Sequence, residues 1–576
     1  MTELFLQKDG SQWQRVYFDT SAGSIKLTRE NPYFTQSESY TLDITLPMDI
    51  LENRSFLCNL QRIDCSKQPP VMKCRLVVDN VPVLNGSAKV VQVTEQQVKV
   101  QLLGGRSEVN FLSSENGDYI DQLPLGTREY VTEGLSFYTD ISTGLPFSTS
   151  PVYNETAAKI VSPLCACHPQ LVGVMRLVLA HYGYTLATSF LDEHPWDRIF
   201  IVSALHTLDI AHKLPHWTVR DFITEFCRFF NVSLFTDADH HTAAFLHNTT
   251  YFTQQSAVTI EPVDEYQADI NEEPEASLAS STLAYDLSSS AGHDIDCFAD
   301  EVRPALPRLS FATATELRNA WAAYSPEYRR RYLFCTPYLS YLSWVRTDPS
   351  DNDCEDLLLA DMFAPRSRGD DADRLELKIV PVAITQDAVR QLTATTHKTA
   401  AGIPSLESPS PDEAPYPWED QELFGELPPV QDYITGEADV DKSEKEDILQ
   451  VMFDDGRTTY YANIADEQAY QASGVVGFTD YRLKPSTDGN QHAEWSMALA
   501  DYPESPMVCV GDLHDNPYTF NMKAKLMVKF FSNRIPDPTR VYIIRNKRYG
   551  CEKIEANVNA NGFDHLMTGY FDEMLE

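Results

Sequence analysis

The sequence predicts a β-rich, multidomain α+β protein, with antiparallel β-barrel or sandwich domains and small helix–strand modules. Three observations predict it. Apolar and polar residues alternate with a period of two over much of residues 1–150 and 448–576. Two stretches between them show helical spacing, then a residue suited to a left-handed cap, then a strand. Finally, 576 residues are too many for one core; at roughly 100–200 residues per domain, three to five domains are expected.

Within 1–150, expected to be one N-terminal, barrel-like β-domain, "SESYTLDITLPM" sets Tyr40, Leu42, Ile44 and Leu46 on one face. The stretch "MKCRLVVDNVPVLNGSAKVVQVTEQQVKVQLLGG" reads as a meander. Its first strand, Cys74–Val78, turns at Asp79-Asn80; a second leads to Asn85-Gly86; then 88–93 and 98–103 flank a polar turn at Glu95 to Gln97.

Residues 151–260 are expected to form a helix–strand–hairpin α+β domain. Leu171, Val174, Met175 and Val178 share one helical face, Gly183 caps it, and 184–187 follows as a strand. The next unit repeats this plan. Thr218 caps the N-terminus with Asp221 three residues on, and Val219, Phe222, Ile223, Phe226 and Phe230 form the apolar face. Asn231 takes the left-handed cap, "VSLFTD" the strand, "DADHHT" the turn and "AAFLHN" the return.

A mixed β/α domain with acidic loops is expected over 261–398. A strand at "SAVTIEP", 256–262, leads into it, and it contains strands at "STLAYDLSSS" and "RLELKIVPVAI" and a helix or two broken at Pro326 in "TATELRNAWAAYSPEYRRRYLF". Residues 399–447 read as a Pro-rich acidic linker; between Glu407 and Asp447 stand fourteen acids against two lysines. In the C-terminal β-rich domain, 448–576, "NMKAKLMVKFF" and "TRVYIIRNKRYGCEKIEANVN" read as strands, and "GFDHLMTGYFDEMLE" is apolar enough to pack onto the body.

Composition narrows the function classes. The net charge of −38, from 84 acids against 46 bases, repels nucleic acid and anionic lipid, so neither tight nucleic-acid binding nor a membrane surface is expected. Eleven cysteines at irregular spacing do not form a disulfide framework. The start "MTELFLQKDGSQWQRVYF" lacks a basic region followed by an apolar one, so no signal peptide is expected. The longest apolar run, Leu171 to Ala180, is interrupted by Arg176, so no membrane span is expected.

Four clusters of reactive letters each have a plain structural explanation. His240 and His241 are adjacent and diverge on an extended chain; with Asp237 and Asp239 they suit a surface turn better than a metal site. Cys165, Cys167 and His168 lack the second ligand pair that zinc needs. "DPSDNDCED", Asp348 to Asp356, lacks the glycine and closing glutamate of a calcium loop. Arg329, Arg330 and Arg331 sit among aromatics, but in so acidic a chain they are better matched to carboxylates than to bases. No phosphate loop, H-E-x-x-H or G-x-S-x-G is present. No catalytic, cofactor-binding or metal-binding residue is assigned, and no cofactor is expected.

The segment "SYTLDITLPMDILENRSFL", followed by "CRLVVDNVPVLNGSAKVVQVTEQQVKVQL", resembles the start of phage tail and baseplate hub proteins, in the style of Bacteroidetes phages and prophages. "WTVRDFITEFCRFFNVSLFTDADHHTAAF" is similar to a helix–strand–hairpin module that recurs in those hubs. The resemblance covers residues 1–260 and is one of pattern. It implies a structural, non-enzymatic protein of the virion tail, made in the bacterial host cytoplasm. It also implies self-association as a homotrimer, two barrel-like domains per subunit in a ring that mates with the tail tube, and contacts to tail tip or fibre proteins. Two rivals remain. One is a carbohydrate- or peptidoglycan-active enzyme with β-domains, suggested by abundant Trp, Tyr and carboxylates. The other is a cell-surface binding module, disfavoured by the missing leader.

Overall fold

The computed structural model describes most of residues 1–271 and nearly all of 518–575. Between them it describes short stretches, chiefly strands, within 282–285, 308–309, 333–335, 340–346, 356–360, 374–385, 403–406, 448–453, 459–463, 469–473, 481–483 and 513–514. The protein is a β-rich α+β fold dominated by one large, mainly antiparallel sheet.

The N-terminal strands are β1 (Thr2–Gln7), β2 (Gln14–Val16), β3 (Ile25–Glu30), β4 (Ser39–Thr41), β5 (Ile44–Pro47), β6 (Met72–Val78), β7 (Val81–Val93) and β8 (Gln97–Gly104). Alternation does what the sequence predicts: β1 and β8 bury every second residue. The β6–β7 hairpin turns at Asp79 and Asn80, both at positive φ, as a two-residue hairpin turn requires. The expected break at Asn85-Gly86 does not occur, and β7 runs straight through it. Gly86 serves close approach instead, since a Cβ there would lie 2.0 Å from the Leu103 carbonyl oxygen of β8. Two helices went unpredicted, α1 (Leu51–Phe56) and α2 (Arg106–Asn116). The buried positions of α2 include Ser107, Glu108 and Ser113, which leave no apolar stripe to detect.

The C-terminal strands join this same sheet. Lys547–Asn559 pairs antiparallel with β3, with Ile25 opposite Val558 and Glu30 opposite Lys553. Its other flank takes Gly562–Leu575, which pairs with Thr519–Phe531, which pairs with Gln267–Ile270. The sheet has fourteen strands, of which eleven run in one path from β2 at one end to 267–270 at the other and three pair off that path. The Thr2 N–H donates to the Ala560 carbonyl at 3.1 Å, so β1 also touches the turn between the last two strands. Segments 1–150 and 448–576, expected as separate domains, therefore share a sheet. They also share a core: Leu4, Leu27, Val100, Ile554, Val558 and Phe571 pack in one cluster. Periodicity marks which face of a strand is buried and is silent about which strand lies beside it.

The helix–strand module forms as its caps dictate. α3 (Leu171–His181) ends at Gly183, whose φ is 82°; the Gly183 and Tyr184 N–H groups donate to the Ala180 and Leu179 carbonyls at 2.9 and 3.0 Å, a Schellman closure. α4 (Val219–Phe230) begins at Thr218, whose hydroxyl accepts the Asp221 N–H at 3.1 Å, and ends at left-handed Asn231. The hairpin Val232–Asp237 and Thr242–His247 follows, with 185–186 as a third, parallel strand. Phe222, Phe226, Phe229 and Phe230 are fully buried, with Phe226 stacked 5.0 Å from Phe245.

Distant chain completes this second core. Ile199–Ile201 pairs antiparallel with Leu449–Phe453, which pairs parallel with Ile379–Pro381. The Glu225 carboxylate of α4 accepts the Lys378 N–H at 3.3 Å and meets Arg228 at 2.7 Å. Most of the expected helix over 313–334 lies outside the described residues, but its last two, Leu333 and Phe334, lie in the strand Leu333–Cys335. Of the expected linker, 403–406 is a strand paired with Val152–Asn154 and Ala383–Thr385; the rest lies outside the described residues.

Candidate functional site

Of the residues singled out in the sequence, those that the structure describes do not converge. His240 and His241 occupy the turn between Asp237 and Thr242; His240 Nδ1 meets its neighbour Asp237 at 2.6 Å, and His241 has φ 51°. His168 is buried on the strand Cys167–Pro169, while Cys165 lies outside the described residues. Arg329, Arg330, Arg331 and all but the last residue of "DPSDNDCED" also lie outside them. Among the described residues, no group of three or more His, Cys, Asp or Glu side chains is arranged to hold a metal.

The fold instead assembles a buried polar joint between the sheet and the helix module. Gly105, at φ 62°, precedes α2 and lies directly against Glu38. The Glu38 carboxylate accepts the Arg106 N–H at the start of α2 and the Thr236 hydroxyl of the hairpin, the latter at 2.9 Å. Burial pushes this carboxyl up to about 7, against the pull of those two donors. The buried Arg106 guanidinium donates to the Thr224 hydroxyl at 3.3 Å. Glu108 accepts from Ser87 of β7 at 2.6 Å and from Tyr184 at 2.7 Å. Each of these bonds crosses between elements, so the cluster fixes one unit against the other.

A second pairing has the form of a catalytic dyad. His216 Nδ1 lies 3.2 Å from both oxygens of Asp121, whose side chain is fully buried, and the imidazole stacks on Tyr119 at 3.8 Å. A carboxylate in that place can orient the ring and leave Nε2 as a base. Among the described residues no hydroxyl or thiol donates to Nε2. The same two segments are tied by a Tyr119–Thr218 bridge and by the Ile120 N–H to the Trp217 carbonyl at 2.9 Å. A cavity of about 220 Å³, lined by residues including Leu145, Arg176, Leu177 and Tyr184, lies beside α3; it falls below the roughly 300 Å³ at which small-molecule sites begin. The Arg176 guanidinium is tied to Asp192.

Asp572 is unexpected in the large sheet. It is fully buried, neither carboxylate oxygen accepts a hydrogen bond, and burial raises it to about 7, with Lys525 opposing and Glu552 adding. Register shifts flank it on both neighbouring strands. None of Glu38, Arg106, Glu108, Asp121, His216 or Asp572 stood out in the sequence. The detectable signals were slight: an acid inside the apolar run "GYFDEML", and a Gly-Gly pair before "RSEV".

Several exposed apolar side chains lie at the two ends of the sheet, while others, Ile63 the most exposed, lie elsewhere. Trp13 and Tyr17 flank β2, with Leu51 close by on α1; Val263, Tyr266 and Ile270 lie on or beside the 267–270 strand, and Phe531 ends the strand that pairs with it. Each end strand is paired on one side only among the described residues.

No protein-family model matches the chain, and no curated protein sequence is significantly similar to it. Among solved structures, a prophage MuSo2 43 kDa tail protein from Shewanella oneidensis aligns over 99% of this chain and 97% of its own, at 8% identity and a TM-score of 0.34. A tail protein from Neisseria meningitidis MC58 aligns over 99% and 96%, at 7% identity and 0.32. At those scores the superpositions are too loose to carry an argument about fold or function.

Proposed function

We propose that this chain is a structural component of a phage or phage-like tail, a baseplate hub that joins the tail tube to the tip. It acts by assembly, as a homotrimer that docks to tube and to tip or fibre proteins, and it resides in the virion tail. The observation that carries the proposal is the fourteen-stranded sheet whose two end strands are, among the described residues, each paired on one side only and accompanied by exposed apolar residues. Free strand edges pair with further strands, so a protein that keeps two of them is suited to association. The order of parts over 1–260, a β-unit running into the helix–strand–hairpin module, supplies the link to tails. An acidic body suits a conduit that must not hold DNA.

Among the described residues no helix is long and apolar enough to cross a membrane. Among the described residues, the Asp121–His216 pair favours the rival, a carbohydrate- or peptidoglycan-active enzyme. Two measurements decide. Light scattering and electron microscopy of the purified protein across concentrations should show oligomers that join tail particles, and a chain that stays monomeric would overturn the proposal. Turnover of cell-wall glycan, lost in His216→Ala, would establish the rival.

A further inference from the structure

A buried carboxyl whose oxygens accept no hydrogen bond needs a physical reason, and the neighbours of Asp572 supply one. Asp572 stands on Gly562–Leu575, the strand between Thr519–Phe531 and Lys547–Asn559. Its register partner on one flank is Lys525 and on the other is Gly550. Side chains directly opposite on antiparallel strands share a face, with Cβ atoms about 5 Å apart. The Asp572 carboxyl is thus within reach of the Lys525 side chain. Both flanking strands are irregular here. The register skips from Asn521 to Lys525 on one and from Cys551 to Lys553 on the other, and the extra residue on the second is Glu552.

The three groups are in the protonation states that amide formation needs. Burial keeps the Asp572 carboxyl largely neutral below about pH 7; Lys525 opposes that rise and Glu552 adds to it, so both bear on the same carboxyl. A neutral acid is electrophilic at Cγ, whereas a carboxylate repels a nucleophile. The Lys525 ammonium is bonded to the Glu552 carboxylate, which is placed to take its proton. Lys553, the other amine on this part of the sheet, is turned to Glu555 at 4.0 Å and to the Tyr570 ring at 4.6 Å. The Asp572 side chain is fully buried, and a bond made there is shielded from hydrolysis.

We infer that Lys525 Nζ and Asp572 Cγ join in an isopeptide bond, with Glu552 as the proton acceptor. Glu552 takes one proton from the ammonium and passes it to solvent. The freed lone pair attacks Cγ, and the N–C bond forms. The C–OH bond then breaks, and the hydroxyl leaves as water with a second proton from the nitrogen; the third stays on the amide. No oxidant, reductant or cofactor is consumed. The product removes a buried acid and staples Thr519–Phe531, the strand beside the end strand 267–270, to its neighbour. Lys525 rests on Glu552 as an ammonium, so closure is slow beside folding, and Asp572 titrates as a buried acid until it occurs. The bond is independent of the assembly proposed above.

Intact mass and tryptic peptide mapping of the full-length chain, fresh and after prolonged incubation at pH 6, test this. The expected result is a species lighter by one water that grows with time at a rate independent of protein concentration. Its diagnostic peptide joins residues 524–529 to residues 554–576. Lys525→Arg, which keeps a cation beside Glu552 and cannot form the amide, is expected to retain its full mass. Glu552→Gln is expected to slow closure about a hundredfold or more. Circular dichroism checks that both variants fold. The incubated wild type is expected to melt above incubated Lys525→Arg, because the link constrains the unfolded chain. A peptide joining 524–529 to 549–553 would show that Lys525 reacts with Glu552 instead, and would overturn the assignment of Asp572. Loss of water without a joined peptide, or full mass in both fresh and incubated wild type, overturns the inference.

Discussion

The side-chain amide of Asn231 donates to the main-chain carbonyl of Leu513 at 2.6 Å, across 282 residues of sequence. The same side chain accepts from Asn248 at 2.9 Å, and Asn248 in turn accepts from Ser233 at 2.7 Å. One residue thus ends α4 in the left-handed conformation and ties the hairpin to the C-terminal chain. Asn231→Gly keeps the backbone geometry and loses the bonds, for a cost of about 1–3 kcal/mol. Asn231→Ala adds the strain of a left-handed alanine, about 1 kcal/mol more. Urea unfolding of both variants checks the order; equal losses would show that the cap conformation is immaterial.

Glu38 makes the joint pH-dependent. Burial lifts its carboxyl from 4.5 to about 7, so the folded chain keeps a proton that the unfolded chain releases. Its contribution to stability is therefore complete below pH 4.5 and is lost as the pH rises through 7. Glu38→Gln should flatten the fall in stability between pH 5 and 8 by about 1 kcal/mol or more. Denaturation midpoints across that range test this, and a variant profile parallel to the wild type would refute it.

Asp572 acts in the same direction by a different route. Its unfolded value of 3.8 rises to about 7 because the carboxyl is buried without a hydrogen-bond partner. Asp572→Asn should raise the melting temperature at pH 8 and change it little at pH 4, where the native carboxyl is protonated. Loss of stability at both pH values would mean that the charged form is needed.

Two glycines at positive φ, Gly86 at 154° and Gly117 at 67°, differ in the space around them. Gly86→Ala forces a Cβ against the Leu103 carbonyl and should cost about 2 kcal/mol or more. Gly117→Ala, at φ 67° with open space around it, should cost only the left-handed penalty of about 1 kcal/mol. Comparable melting temperatures for the two variants would remove the case for a crowded β7–β8 crossing.

Local chemistry alone determined a good deal of this protein. Thr218 with Asp221, the Phe222–Phe226–Phe230 face and Asn231 determined α4 and its hairpin, because a cap, an apolar stripe and a left-handed residue are properties of neighbouring letters. Asp79-Asn80 determined the β6–β7 turn for the same reason. Only the tertiary structure decided that Ile25 faces Val558, that Glu38 lies beneath the first turn of α2, and that Asp121 orients His216. Those partners are separated by tens to hundreds of residues, and any apolar strand satisfies an alternating pattern as well as another. The choice among them is made by how the two cores fill space, and with it the choice of which strands are left at the ends of the sheet.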